Sequence, residues 1–243
     1  MIKRPSVLMF WTFFFITLMM ILIVGSIVYY LRSDSMRDNG PLDKIKSGQF
    51  TNTFNFYFLS NPQIINRQFY GFSNASVTIV GYIDPTSAAG KYFIINYFPL
   101  LRSEFINTGS VKFYPKYYVS EEDITNKNDN FIYSTYIFCV NKINKNKFFD
   151  FYFDTFQISE KKYLNDLVVK HNISVNEIKK CLDNQSWNEI YEDAGEIRRF
   201  GMSGVSPRFY IGILGRDNKI IDGVPSYNTF KRIIRLQQFI IGK

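Results

Sequence analysis

The chain has 243 residues, 46% of them apolar, a net charge of +8, one histidine and two cysteines. That length suits one domain, or one carrying an insertion, and that apolar share excludes wholesale disorder. The Cys and His count is too low for a zinc site, a Ser-His-Asp arrangement would have to take His171 from an apparent helix-to-helix turn, and the basic residues form only small clusters rather than a nucleic-acid footprint.

From Pro5 to Leu31 there is no charge, and as helix those 27 residues would span about 40 Å, enough for a bilayer core of roughly 30 Å with tilt. Lys3 and Arg4 flank the run, and Trp11, Tyr29 and Tyr30 suit its two interfaces. A cleaved signal peptide is the competing reading, but its apolar region is about 7–15 residues long. Here the run is longer, and only Gly25-Ser26 suggests a cleavage site. The expectation is therefore a retained single-pass anchor within residues 1–32, contacting the membrane through residues 7–31. Lys3 and Arg4 before the span, against Arg32, Arg37, Lys44 and Lys46 after it, leave the positive-inside rule indecisive. Because the start resembles an export signal, the body is expected outside the cytoplasm, in the periplasm of a bacterial envelope.

Residues 33–49 are polar, turn at Asn39-Gly40-Pro41 and read as a linker. Phe54, Phe56 and Phe58 alternate with polar neighbours and predict a half-buried strand over 50–59. The β-branched run from Ser76 to Tyr82 predicts a central strand. A helix follows from Ser87 to Asn107, with Tyr92, Phe93, Ile94, Tyr97, Leu100, Leu101 and Phe105 at helical spacing and Pro99 predicting a kink. Val111 to Val119 is the next strand, so strand, helix, strand implies a parallel crossover.

The polar run Glu121–Asn130 reads as a loop. Helical pieces are predicted over Phe131–Asn141, Phe148–Phe156, Lys161–Lys170 and Trp187–Phe200, with another opening at a Ser174/Glu177 capping box. Arg208–Ile211 and Lys219–Asp222 read as strands joined by a turn at Gly215–Asn218, and a last helix runs from Tyr227 to Ile240. The pattern is an α/β sheet protein with a helical insertion over about 121–200.

With these residues laid out, the stretch 50–243 resembles the DsbA-type thioredoxin family. The resemblance rests on Val77–Val80 with Asp84, on Pro99, on Asn107-Thr108-Gly109 with Val111 and Phe113, on Gly201, Gly204, Val205, Pro207, Phe209 and Ile211, and on Gly223 and Pro225. It implies a thioredoxin-like fold with an inserted helical domain, here behind a transmembrane helix, and a cis bond at Pro207. It also implies that Ser206, Pro207 and Arg208 face the catalytic turn and touch an extended peptide. The family's catalytic cysteines fall on Ser87 and Gly90, so the C-x-x-C has become Ser-Ala-Ala-Gly. A serine hydroxyl cannot exchange with sulfur, and glycine offers no resolving group. Ser87 reads most simply as a helix cap.

Some members of the family join the same helical pieces by a second disulfide, which would be Cys139–Cys181 here; two buried free thiols are the alternative. No metal or cofactor is implied, and no nucleic acid is expected. Three functions remain open. One is an anchored, redox-inactive module binding extended or unfolded polypeptide or an envelope partner. The others are a protein-disulfide oxidoreductase, as the family implies, and an envelope scaffold.

Overall fold

The computed structural model describes residues 19–20, 62–202, 204, 206–213 and 218–241. The predicted anchor, linker and first strand lie outside these residues, apart from Met19 and Met20, which are helical and exposed. Among the described residues no helix is long and apolar enough to cross a membrane. The chain divides into two units, Met1–Lys46 and Ser47–Lys243, and the second carries the sheet and the helices that cover it.

One sheet contains β1 (Tyr70–Gly71), β2 (Val77–Ile83), β3 (Val111–Tyr117), β4 (Arg208–Gly212) and β5 (Asn218–Asp222), in the order β1-β3-β2-β4-β5. Strands β2 and β3 pair in parallel, and the other neighbours are antiparallel. Every residue of β2 is buried, which is why its sequence is a near-continuous apolar run, broken by Thr78, rather than an alternation. Its odd positions Val77, Ile79 and Ile83 join Phe113, Phe209 and Ile211 in the larger core; its even positions Val80 and Tyr82 join Tyr114, Tyr118, Tyr210 and Met202 in a smaller one. Gly81 lies between two rings on the first face: a Cβ there would stand 2.9 Å from Phe113 and 3.2 Å from Phe209. β1 is too short to show any periodicity and has no sequence signal.

Helix α1 (88–106) packs Phe93 against Phe209 and Phe230, and Phe98 against Phe113. The fold accommodates Pro99 with wide π turns on both sides, Phe93–Tyr97 and Arg102–Ile106, around a single α turn Phe98–Leu101. Proline has no N–H for the usual helical bond, and widened turns re-pair the carbonyls near it.

The insertion contains α2 (Glu121–Asn126), α3 (Asp129–Ile143), α4 (Phe148–Thr155), α5 (Leu164–Lys170), α6 (Val175–Asp183) and α7 (Asn188–Arg199). The loop predicted over Glu121–Asn130 is corrected by α2. Ser120 and Asp123 form a full capping box, and Glu121, Glu122 and Asp123 complement the helix N-terminus. A run that looks like solvated loop by composition is thus a helix start. Ser174 Oγ accepts from the Glu177 N–H at 3.4 Å, the first half of the box predicted there. Helix α8 (Tyr227–Ile241) closes the fold against the larger core through Phe230 and Ile234.

Candidate functional site

The end of β2 delivers Asp84, Pro85 and Thr86 to the start of α1. Asp84 Oδ1 accepts from the Thr86 N–H at 2.7 Å and the Thr86 hydroxyl at 2.6 Å, which folds the chain into a tight turn. Burial pushes the Asp84 carboxyl up from the ordinary carboxylate range, the Thr86 bonds pull it back, and neighbouring Asp123 raises it further.

Ser87 is the N-cap of α1. Its Oγ donates to the Asp84 carbonyl at 2.9 Å and accepts from the Gly90 N–H at 3.0 Å, so both its hydrogen-bonding roles are spent inside the turn. Gly90 is buried, and a Cβ there would stand 2.4 Å from the Asp84 carbonyl oxygen and 2.8 Å from Ser87 Oγ. The corner therefore leaves no open space at position 90. Its backbone has closed over the place where a side chain at position 90 would begin.

The second loop of the corner carries Ser206 and Pro207, joined by a cis peptide bond. Ser206 Oγ accepts from the Asp84 N–H at 2.9 Å, tying this loop to the turn, and the Pro207 carbonyl accepts from the Gly223 N–H at 2.7 Å. Ser87, Gly90, Ser206 and Pro207 are thus gathered around Asp84. Arg208 is held differently. It pairs with Asp222 on the adjacent strand, so its charge is engaged across the sheet. Cys139 and Cys181 lie in the insertion, where a disulfide joins α3 to α6 with 5.8 Å between their Cα atoms. His171 also lies in the insertion, with Nε2 3.0 Å from Asp154 Oδ2.

Behind the corner is a polar cluster that the sequence pattern does not predict. Lys116 has a fully buried side chain, with Nζ 2.9 Å from Asp193 Oδ1 and 2.5 Å from Glu196 Oε2. Tyr82 donates its hydroxyl to Glu196, and burial followed by the Glu196 charge pushes that hydroxyl far above its ordinary range, keeping it protonated. Arg67, from the segment ahead of β1, reaches Asp193 at 2.7 Å and Glu189 at 3.1 Å. The Gln63 N–H donates to Glu196 and the Tyr117 N–H to Asp193. Burial pushes the Asp193 carboxyl up, against the pull of Lys116 and Arg67. A lysine beside tyrosines at an inward strand position is the available signal; its acidic partners sit almost eighty residues away.

Among the described residues, no group of three His, Cys, Asp or Glu side chains is arranged to hold a metal ion. A cavity of about 310 Å³ in the insertion is lined by Asp154, Ile158, Tyr163 and Lys170. Lys91 of α1 donates its Nζ to the carbonyl of Ile158, one of the lining residues, at 3.0 Å.

Residues 64–235 match the family described as Thioredoxin. No curated protein matches the chain by sequence. Among solved structures, oxidised BdbD from Bacillus subtilis is similar at TM-score 0.61 and 19% identity, over 73% of this chain and 96% of that one. The thiol-disulfide exchange protein alpha-DsbA2 from Wolbachia pipientis is similar at TM-score 0.56 and 18% identity, over 70% and 86%. Chlamydia trachomatis DsbA is similar at TM-score 0.57 and 15% identity, over 74% and 95%.

Proposed function

The chain belongs to the thioredoxin family, and on that premise we propose a membrane-anchored, DsbA-like module of the cell envelope that is redox-inactive at its corner and binds extended polypeptide or a membrane partner. Its fold is the thioredoxin-like α/β fold with a helical insertion, like that of DsbA-type thiol-disulfide exchange proteins. One observation carries the loss of redox chemistry: Ser87 Oγ is committed to the turn, and position 90 has no room for a side chain. Thiol exchange needs an attacking thiolate and a second sulfur to release the mixed disulfide, and this corner supplies neither. The charge-free run from Pro5 to Leu31 supports the anchor. For polypeptide binding, the support is the Ser206–Pro207 loop, still fixed beside the turn.

The second reading is protein-disulfide oxidation or exchange, and the comparisons speak for it more than for the first, since the similar structures include a thiol-disulfide exchange protein. In this chain it would have to run through Cys139 and Cys181. Cys139 is fully buried among Ile137, Phe138 and Val140, surroundings that disfavour a thiolate.

The full chain in lipid vesicles separates the two. A photo-crosslinker at position 206 should capture unfolded polypeptide while the chain neither reduces insulin disulfides nor oxidises model dithiols. Turnover above background that disappears in the Cys139→Ala/Cys181→Ala variant would overturn the first reading in favour of the second.

A further inference from the structure

Lys116 stands apart from every other ion-paired lysine among the described residues. Its side chain and that of Asp193 are both 0% exposed, whereas the other paired lysines expose between 27% and 63%. A lysine and a carboxylate enclosed away from water stay charged only against their desolvation. The uncharged pair of amine and acid therefore lies closer in free energy here than in solvent.

The contacts around this pair have the form of an acyl-transfer site. Lys116 Nζ is 2.9 Å from Asp193 Oδ1 and 2.5 Å from Glu196 Oε2. The two oxygens of Asp193 have different surroundings: Oδ2 accepts the Tyr117 N–H at 2.9 Å, while Oδ1 lies 2.7 Å from Arg67 Nη2. A fixed N–H on one carboxyl oxygen stabilises the charge that builds there when a nucleophile adds to the carbon, as an oxyanion hole does. Glu196 touches the amine, and Tyr82 donates its hydroxyl to the same carboxylate oxygen. Burial pushes the Asp193 carboxyl up, towards the neutral acid, against the pull of Lys116 and Arg67.

We propose that Lys116 and Asp193 join in an intramolecular amide, with Glu196 as the proton carrier. Glu196 first passes one proton from Nζ to Asp193 Oδ1, leaving a neutral amine beside a neutral acid. The Nζ lone pair then bonds to Cγ, and the negative charge of the adduct falls on Oδ2 under the Tyr117 N–H. Glu196 passes a second proton from the nitrogen to Oδ1. The Cγ–Oδ1 bond breaks with its electron pair on that oxygen, and one water leaves. Ammonium and carboxylate have become amide and water, Glu196 ends as it began, and no oxidant or second substrate is needed.

Packing supplies the rate, since holding two reacting groups in contact is worth effective concentrations of about 10⁵–10⁸ M. The bond ties β3 to the last helix of the insertion across 77 positions. It is a second covalent link beside Cys139–Cys181, and reductant does not open it. The ion network is the state from which it forms.

The test digests full chain, reduced and alkylated, with trypsin, which does not cut after an acylated lysine. Peptides 113–127 and 181–198 should appear as one linked species, lighter by one water than the two together, with fragment ions placing the bond between Lys116 and Asp193. Lys116→Arg has no nucleophilic amine and Glu196→Gln has no proton carrier. Both should be cut after position 116 and release peptide 181–198 alone, while cooperative urea unfolding shows that each still folds. The parent chain decides the matter even where a variant fails to fold. Parent chain cut after Lys116, with peptide 181–198 alone, overturns the proposal and leaves a buried ion network. A bond on Glu196, or a Glu196→Gln chain that links as fully as the parent, overturns the roles assigned to Asp193 and Glu196.

Discussion

Tyr82 and Asp84 stand two residues apart at the end of β2, yet the polar chemistry around them is organised in opposite ways. Around Asp84 the bonds are local in sequence except one: Thr86, Ser87 and Gly90 pair within the turn, and Ser206 is the distant partner. Around Tyr82, Arg67, Lys116 and the α7 pair Asp193 and Glu196 come from three separate parts of the chain, and Lys116 and Asp193 are completely buried. The contrast shows where this fold keeps its polar investment. The corner at Asp84 is a well-capped turn. The cluster behind it fastens the segment entering the domain, the central sheet and the last helix of the insertion to one another.

The largest effect should come from breaking the cluster. Lys116→Ala would leave Asp193 with Arg67 as its cation and Glu196 without its buried one, and removing one partner from a buried ion network costs about 3–5 kcal/mol. Urea unfolding should show that loss without a change in the polypeptide crosslinking proposed for position 206. A loss below about 1 kcal/mol, the range of an exposed pair, would mean that water reaches the cluster, and the contrast with the corner would collapse.

The next effect concerns the corner. Gly90→Cys places a Cβ where the Asp84 carbonyl oxygen is only 2.4 Å away, and forcing atoms into filled space costs about 1–3 kcal/mol. Ser87→Cys starts from a half-buried position whose side chain already fits, so it should fold with little loss. Adding the two cysteines back together is therefore expected to disturb the turn before it restores any oxidase activity. A Ser87→Cys/Gly90→Cys chain with parental stability and dithiol oxidation would show that the corner reopens easily. A smaller change, Ser87→Ala, removes the cap from α1 and should cost about 1 kcal/mol.

Legibility in the sequence divides along the same line. The strand at Val77–Ile83, the helix after it and the capping role of Ser87 are readable because their determinants lie within a few residues of one another. The position of the insertion is readable from a long run of helical punctuation. The short helix Glu121–Asn126 escapes a reading by composition because its acidic residues look like solvated loop until the Ser120/Asp123 box is recognised. The ion pair of Arg208 is not legible, because strand register sets it opposite Asp222 and a one-dimensional reading carries no register. The buried cluster is beyond reach for a stronger reason. Lys116 carries a faint signal at an inward strand position, but Asp193 and Glu196 look like ordinary surface residues in their own segment, and only the packing of α7 against β3 makes the three a unit.

The smallest effect gives the sharpest test of whether the corner still holds functional charge. Burial raises the Asp84 carboxyl above its ordinary value, so the folded chain binds this proton more tightly than the unfolded chain does. Linkage sets the sign: the contribution of Asp84 to stability is fully present in acid and is lost as pH rises through its ordinary value towards the folded one. Asp84→Asn keeps a carbonyl oxygen for the Thr86 donors and removes the titration. The variant should therefore gain on the parent chain as pH is raised from about 4 to about 8, read from urea midpoints along the series. If the parent gains on the variant instead, the Thr86 bonds outweigh desolvation and the turn has been built to keep an anion. That anion would sit beside the Ser206–Pro207 loop, and the corner would then count as an electrostatic binding site rather than a capped turn.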